Sequence, residues 1–320
     1  MQSLTTYGRK APFLLVIGFV LMLAACSTGQ TTATGDQYGG STTSSKSPAA
    51  TATQAPSSSD TQGSSNDQGP VGSITYASVN ITITGTDQQS TYTDDDYSTT
   101  PILFRVKTHE QNPTADTAYL YYSDAFRLIL PGNKSVAPTK EGASDGIQQA
   151  VVRDNWLDFP VDSKQDVNKL VLLIGTPTEN QISVPLSAHP DLSKYQARSI
   201  TPGSKIKYGA DWTVTKVTSS LSAYDKQALT GKRYIIVDFQ VDNNTSDTFY
   251  PYATDNIRLK SSSATQSAEK STLPGDFAAN TTGGTGSMAF LMPQGETDLQ
   301  LEFLAQPDNH LNATSVSFKI

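Results

Sequence analysis

Apolar and polar residues alternate with a period of two along several stretches of the chain. Ile81 and Ile83 alternate with Thr82 and Thr84, and Ile235, Val237, Phe239 and Val241 alternate with Ile236, Asp238, Gln240 and Asp242. Val316, Phe318 and Ile320 alternate with Ser315, Ser317 and Lys319. Successive side chains of a strand point to opposite faces, so this pattern predicts strands with one buried face. Turn formers separate the runs: Pro131-Gly132-Asn133, Asp242-Asn243-Asn244 and Pro293-Gln294-Gly295. No stretch carries a long helical periodicity; Leu221–Thr230 has room for one or two helical turns.

The pattern occurs twice, displaced by 131 positions. Gly72-Ser73 recurs as Gly203-Ser204, Ile81 to Thr84 as Trp212 to Thr215, and Phe104 and Val106 as Ile235 and Val237. Asn112, Thr114 and Asp116 recur as Asn243, Thr245 and Asp247. Tyr119-x-Tyr121-x-x-Asp124-x-Phe126-Arg127-Leu128 recurs as Tyr250-x-Tyr252-x-x-Asp255-x-Ile257-Arg258-Leu259. Leu170 and Leu172 then fall on Leu301 and Phe303, and a one-residue slip places Ser183-Val184 on Ser315-Val316. These matches predict a tandem duplication: 71–187, a linker at 188–200, and 201–320. With about six to eight short strands per copy, the expected fold class is all-β, two tandem immunoglobulin-like β-sandwich domains. The inter-sheet disulfide of antibody domains is missing, and Trp156 and Trp212 are not at equivalent places.

Ahead of the repeats the composition changes twice. A polar start ending in Arg9-Lys10 precedes fifteen residues, Ala11 to Ala25, that are apolar or small. That is the layout of a signal peptide, 1–25, and is short of the ~20 apolar residues a membrane-spanning helix needs. The segment that follows, 26–70, is rich in Ser, Thr, Gly, Ala and Gln. It has too little apolar area to offset chain entropy and reads as a disordered tether.

Leu23-Ala24-Ala25-Cys26 resembles the bacterial lipobox. The resemblance implies a diacylglyceryl group on the Cys26 thiol, cleavage just before it, and a chain held by that lipid on the extracytoplasmic face of the cell membrane. Two acyl chains suffice for a stable anchor. Cys26 is the sole cysteine of 320 residues, so lipidation leaves no thiol for disulfides, Cys-based metal sites or catalysis.

In the second copy, Gly231-Lys232-Arg233-Tyr234-Ile235-Ile236-Val237-Asp238-Phe239-Gln240-Val241, then Asn243-Asn244, Ile257-Arg258-Leu259 and Met292-Pro293-Gln294-Gly295-Glu296, resembles domain-of-unknown-function family 4352 of bacterial lipoproteins. The resemblance covers 201–320 and implies an immunoglobulin-like sandwich similar to a secreted mycobacterial immunogenic antigen, with no catalytic residues to carry over. The first copy departs from it: Asn112-Pro113-Thr114 replaces the Asn pair, and no Pro-Gly-Glu element lies near Pro160. Asn243, Asn244, Pro293 and Gly295 are turn-forming residues, which a fold needs whatever its function.

The candidate chemistry is sparse. His109, His189 and His310 lie far apart in sequence, and no nucleophile-elbow, zinc-protease, Walker or dinucleotide motif accompanies them, so the chain is expected not to be an enzyme and to need no cofactor. Asp94, Asp95 and Asp96 form the densest acidic run, able to offer oxygens to Ca²⁺ but equally suited to a solvated loop. Tyr119 and Tyr121, and Tyr250 and Tyr252, are candidates to stack on a cell-wall polymer or an envelope protein. The commoner role of tyrosine in a sandwich is core, with its hydroxyl bonded to a loop backbone. Arg127 and Arg258, between apolar neighbours, are expected to face outward and pair with carboxylates. A net charge of −7 argues against nucleic acid and against electrostatic docking on anionic lipid, leaving the anchor on Cys26 as the membrane contact. These readings give a non-catalytic envelope binding or adhesion protein, with a structural spacer, an accessory subunit or a small-molecule or metal carrier as alternatives.

Cys26→Ser is expected to abolish incorporation of labelled fatty acid and to release the chain from membranes or leave it unprocessed. Label retained by the variant would contradict the anchor.

Overall fold

The computed structural model describes residues 71–94 and 102–320. Cys26, the signal and tether segments, and Asp95 and Asp96 lie outside the described residues. The fold is an all-β sandwich architecture, built by the half-buried strands that the alternation predicts.

The first copy contains β1 (Gly72–Tyr76), β2 (Val79–Gln89), β3 (Ile102–Gln111), β4 (Phe126–Leu130), β5 (Lys134–Val136), β6 (Lys140–Glu141), β7 (Val152–Val161), β8 (Val171–Ile174) and β9 (Ile182–Pro185). One antiparallel sheet has the order β1-β2-β3-β7-β6, and its partner β5-β4-β8-β9. Between them lie Ile81, Ile83, Phe104, Phe126, Leu128, Leu157 and Phe159, all fully buried.

The second copy contains β10 (Arg198–Ile200), β11 (Ser204–Tyr208), β12 (Ala210–Ser220), β13 (Ser222–Ala223), β14 (Lys226–Gln227), β15 (Lys232–Asn243), β16 (Ile257–Lys260), β17 (Thr265–Ser267), β18 (Lys270–Ser271), β19 (Thr281–Pro293), β20 (Asp298–Phe303) and β21 (Thr314–Lys319). Its sheets are β10-β12-β15-β19-β18, with β11 also on β12, and β17-β16-β20-β21. Trp212 sits at the centre of this core, edge-on to Phe239 and Phe303 with ring centroids 5.5 and 5.3 Å away, and its indole N–H donates to the Tyr208 carbonyl at 3.0 Å. Such edge contacts suit the aromatic quadrupole.

One polar device is repeated atom for atom. Asn112, fully buried, accepts from the Thr114 N–H at 2.9 Å and hydroxyl at 2.7 Å, and donates to the carbonyls of Asp116 and Ile147 at 2.8 and 2.7 Å. Asn243 does the same with Thr245, Asp247 and Phe277, at 3.1, 2.7, 2.9 and 2.8 Å. A buried amide with all its partners ends each long strand and ties it to the next loop.

Strand pairing corrects two details of the repeat. Ile74 pairs with Ile81 whereas Ile206 pairs with Trp212, so Gly72 is equivalent to Ser204, not Gly203. The reason is the turn: Ala77 and Ser78, with φ of 47° and 65°, make a two-residue turn where the second copy has Gly209 alone. Likewise Leu172 lies opposite Leu128 and Leu301 opposite Leu259, so Leu172 corresponds to Leu301 and not Phe303; the connection before β20 is shorter. Ser222 to Gln227, expected to have room for a helical turn, is the β13-β14 hairpin, because Tyr224 and Asp225 take left-handed φ of 48° and 67° and form its two-residue loop. Arg127 and Arg258 donate to backbone carbonyls, Ser123 and Phe126 for one and Thr254 and Ile257 for the other, rather than to carboxylates. Each guanidinium thus caps the short helical turn that precedes its strand.

The interiors have diverged. Opposite Ile81 and Arg153 on the neighbouring strands sits Glu110, where the second copy has Val241 between Trp212 and Gly284. Glu110 is fully buried and accepts from Tyr122 Oη at 2.7 and 2.8 Å, Thr108 at 3.1 Å and Arg153 Nε at 2.9 Å. Gly284 leaves room for Phe277, whose ring would lie 2.7 Å from a Cβ there.

Trp212→Ala is expected to cost about 3–5 kcal/mol through the cavity it leaves. Arg153→Met should cost about 3–5 kcal/mol by stranding the Glu110 carboxylate without its cation. Denaturant unfolding measures both; a loss under about 1 kcal/mol for either would contradict the packing described.

Candidate functional site

A cavity of about 440 Å³ opens where the two copies meet. Residues from both line it: Tyr76, Tyr119, Tyr121, Asp124 and Glu179 from the first, and Asp225, Lys226, Leu229, Tyr234, Glu269 and Leu291 from the second. Its volume falls in the ordinary range for small-ligand sites.

The backbone explains how these side chains converge. The β1-β2 turn and the β13-β14 turn are both two-residue loops with left-handed residues, and they bring Tyr76 and Asp225 to the same rim. The loop from Gly175 to Gln181 meets the hairpin through backbone bonds: Asn180 N–H to the Ala228 carbonyl at 2.7 Å, and Thr230 N–H to the Thr178 carbonyl at 3.0 Å. The Gln227 amide is buried at this junction, donating to the Asn180 carbonyl at 2.9 Å and accepting from Ser222 Oγ at 2.6 Å. Asn180 Nδ2 donates to the Lys232 carbonyl, and its Oδ1 accepts from the Gly231 N–H at 3.1 Å. The helical turn Tyr122–Ala125 sets Asp124 beside the opening while Tyr122 is buried beneath it.

Tyr119 and Tyr121 are 60% and 70% exposed, and Tyr250 and Tyr252 are 52% and 57% exposed. The core role common for sandwich tyrosines therefore does not apply to these four. Tyr119 to Tyr121 is an irregular segment rather than a strand, so the alternation that would bury every second ring is broken there. Tyr122 is the buried member, and its hydroxyl meets the Glu110 carboxylate rather than a backbone group. The Tyr119 ring lies over Gly146, where a Cβ would approach it to 2.7 Å, so it is packed on one side and open on the other.

The cavity is acidic. Tyr76 Oη donates to Glu179 Oε2 at 3.0 Å, and the Thr176 N–H donates to the same oxygen at 2.8 Å. Tyr234 Oη donates to Glu269 Oε2 at 3.1 Å. Burial first, then the adjacent Glu179, holds the Tyr76 proton far above the usual phenol range. Burial and then Glu269 do the same for Tyr234, with Asp225 and Glu179 adding to the effect.

At the equivalent end of the second copy, Tyr250 and Tyr252 stack with centroids 6.5 Å apart beside a hollow of about 350 Å³. Its lining holds Thr245, Asp247 and Asn309, so a single carboxylate stands where the junction cavity has four.

The acidic run sits elsewhere. Arg105 stacks on Tyr92 and Trp156, 3.7 Å from each ring centroid, and its fork binds Asp158 at 2.8 Å. It also binds both carboxylate oxygens of Asp94, at 2.8 and 2.9 Å. The Arg105 hydrogen bonds hold the Asp94 carboxyl below its usual range. Calcium at this run would compete with Arg105 for Asp94. Among the described residues no group of three or more His, Cys, Asp or Glu is placed to hold a metal ion. His109 on β3 pairs with Asp154 on β7 at 2.8 Å, both side chains on the exposed face of the sheet, while His189 and His310 occupy left-handed loop positions.

No protein-family model and no curated protein matches the chain. Among solved structures, the conserved domain protein from Bacillus anthracis aligns over 80% of this chain and 93% of its own, at 7% identity and a TM-score of 0.24.

Tyr76, Tyr122 and Tyr234 all have raised folded-state values. The unfolded chain ionises them near pH 10, so their stabilisation is complete below that pH and is lost as pH rises above it. An alkaline titration should show late tyrosinate absorbance appearing together with loss of the β-type circular dichroism. Ionisation of every tyrosine near pH 10 with the fold intact would contradict these environments.

Proposed function

We propose that the chain is a lipid-anchored, extracytoplasmic, non-catalytic binding protein of the cell envelope, and that its ligand site is the junction cavity. The observation that carries this is the exposed pair Tyr119 and Tyr121 at the mouth of a cavity of about 440 Å³. Large exposed aromatics at the rim of a concave site supply contact area at low entropic cost. The lipobox resemblance at Cys26 supports the location, and the resemblance of 201–320 to family 4352 supports a role without catalysis. The expected partner is a cell-wall polymer, which a tethered protein on the outer face of the membrane would meet.

A second reading, a rigid spacer or accessory subunit of an envelope complex, is favoured by the bonds between the Gly175–Gln181 loop and the β13-β14 hairpin, which fix one copy on the other.

Full-length protein in detergent should co-sediment with purified wall polymer. The Tyr119→Ala/Tyr121→Ala variant should bind about thirtyfold more weakly, from about 1 kcal/mol for each of the two aromatic contacts. Equal sedimentation of both proteins would move the site elsewhere, and none for the native chain would favour the spacer.

A further inference from the structure

We propose that the junction cavity takes an organic polycation: ammonium groups joined by short alkyl segments, as in a free polyamine or in the amino groups of a polymer. The inference rests on the cavity being the ligand site and adds the chemical class.

The lining selects for this chemistry on two grounds. Tyrosine faces and Leu229 and Leu291 offer an apolar and aromatic surface, which suits alkyl segments and attracts cations through the ring quadrupole. Carboxylates stand on both walls, Asp124 and Glu179 from the first copy and Asp225 and Glu269 from the second, against the single ammonium of Lys226. Glu179 and Glu269 each accept a tyrosine hydroxyl, which orients them and leaves a second carboxylate oxygen on each. Asp124 and Asp225 carry no side-chain ion pair among the described residues. An anionic ligand would meet net repulsion here, and a neutral sugar would leave the carboxylates uncompensated. The Tyr250–Tyr252 hollow, with Asp247 alone, lacks the second acidic wall.

Titration calorimetry on the full chain in non-ionic detergent, with spermidine and separately with tetralysine, tests this. At least one should bind, more weakly as salt is raised, while 1,8-octanediol gives no heat. Spermidine binding would point to a small molecule, and tetralysine binding alone to an amine-bearing polymer. Asp225→Asn/Glu269→Gln should weaken binding about tenfold with the thermal midpoint retained, and Tyr119→Ala/Tyr121→Ala should weaken it as well. A control variant, Asp247→Asn, should bind like the native chain. No binding of either cation, or equal binding by the carboxylate variant, would overturn the polycation. If the tyrosine variant still loses wall polymer in that case, the cavity remains the site and only its ligand class is wrong. If both assays fail, the site itself is wrong.

Discussion

The cavity depends on the hydrogen-bonded seam between the Gly175–Gln181 loop and the β13-β14 hairpin. Asn180 uses both ends of its side-chain amide on the Gly231 and Lys232 backbone, and Gln227 donates to the Asn180 carbonyl while its oxygen accepts from Ser222, in a place where an unpaired amide would cost about 1–3 kcal/mol. That penalty makes the seam directional: the two walls stay together in one register. Tyrosines from one copy then face carboxylates from the other without any disulfide, which the lone Cys26 could not supply.

The two copies show what a sandwich of this kind must keep and what it can change. Both keep the buried asparagine at the end of the long strand, with four hydrogen bonds in equivalent places, to which Asn243 adds one to the Ala278 carbonyl. Both keep an exposed tyrosine pair before a short helical turn. The space between the sheets is negotiable. One copy fills it with Trp212 and its ring of phenylalanines, the other with Glu110, Arg153 and Tyr122 in a closed polar network. Each solution is internally complete, because a carboxylate without its arginine would leave an unpaired charge, and a side chain at Gly284 would clash with the Phe277 ring that packs on Trp212.

Much of the sandwich was legible in the sequence, since strand alternation is a direct consequence of one-sided burial. Phe239 and Val241 face the core as their spacing requires. Register was legible only as far as the loops kept their lengths: Gly209 in place of Ala77-Ser78 moves β11 by one residue, and no composition signal announces it. The hairpin at Ser222–Gln227 escaped because its turn is Tyr224-Asp225 rather than an Asn-Gly pair. The tyrosines were legible as candidates but not as exposed, because exposure is decided by neighbours such as Gly146 that are distant in sequence. The acidic wall could not be read at all, since Asp124, Glu179, Asp225 and Glu269 come together only when the copies dock.

Hydrogen exchange of the full-length protein, with and without purified wall polymer, addresses the central claim that the junction is the ligand site. The account predicts added protection in Tyr119–Ala125 and in the Ser222–Gln227 hairpin together, because the ligand touches both walls. Protection confined to Thr245–Tyr252, or spread over the outer strands with the junction unchanged, would contradict it.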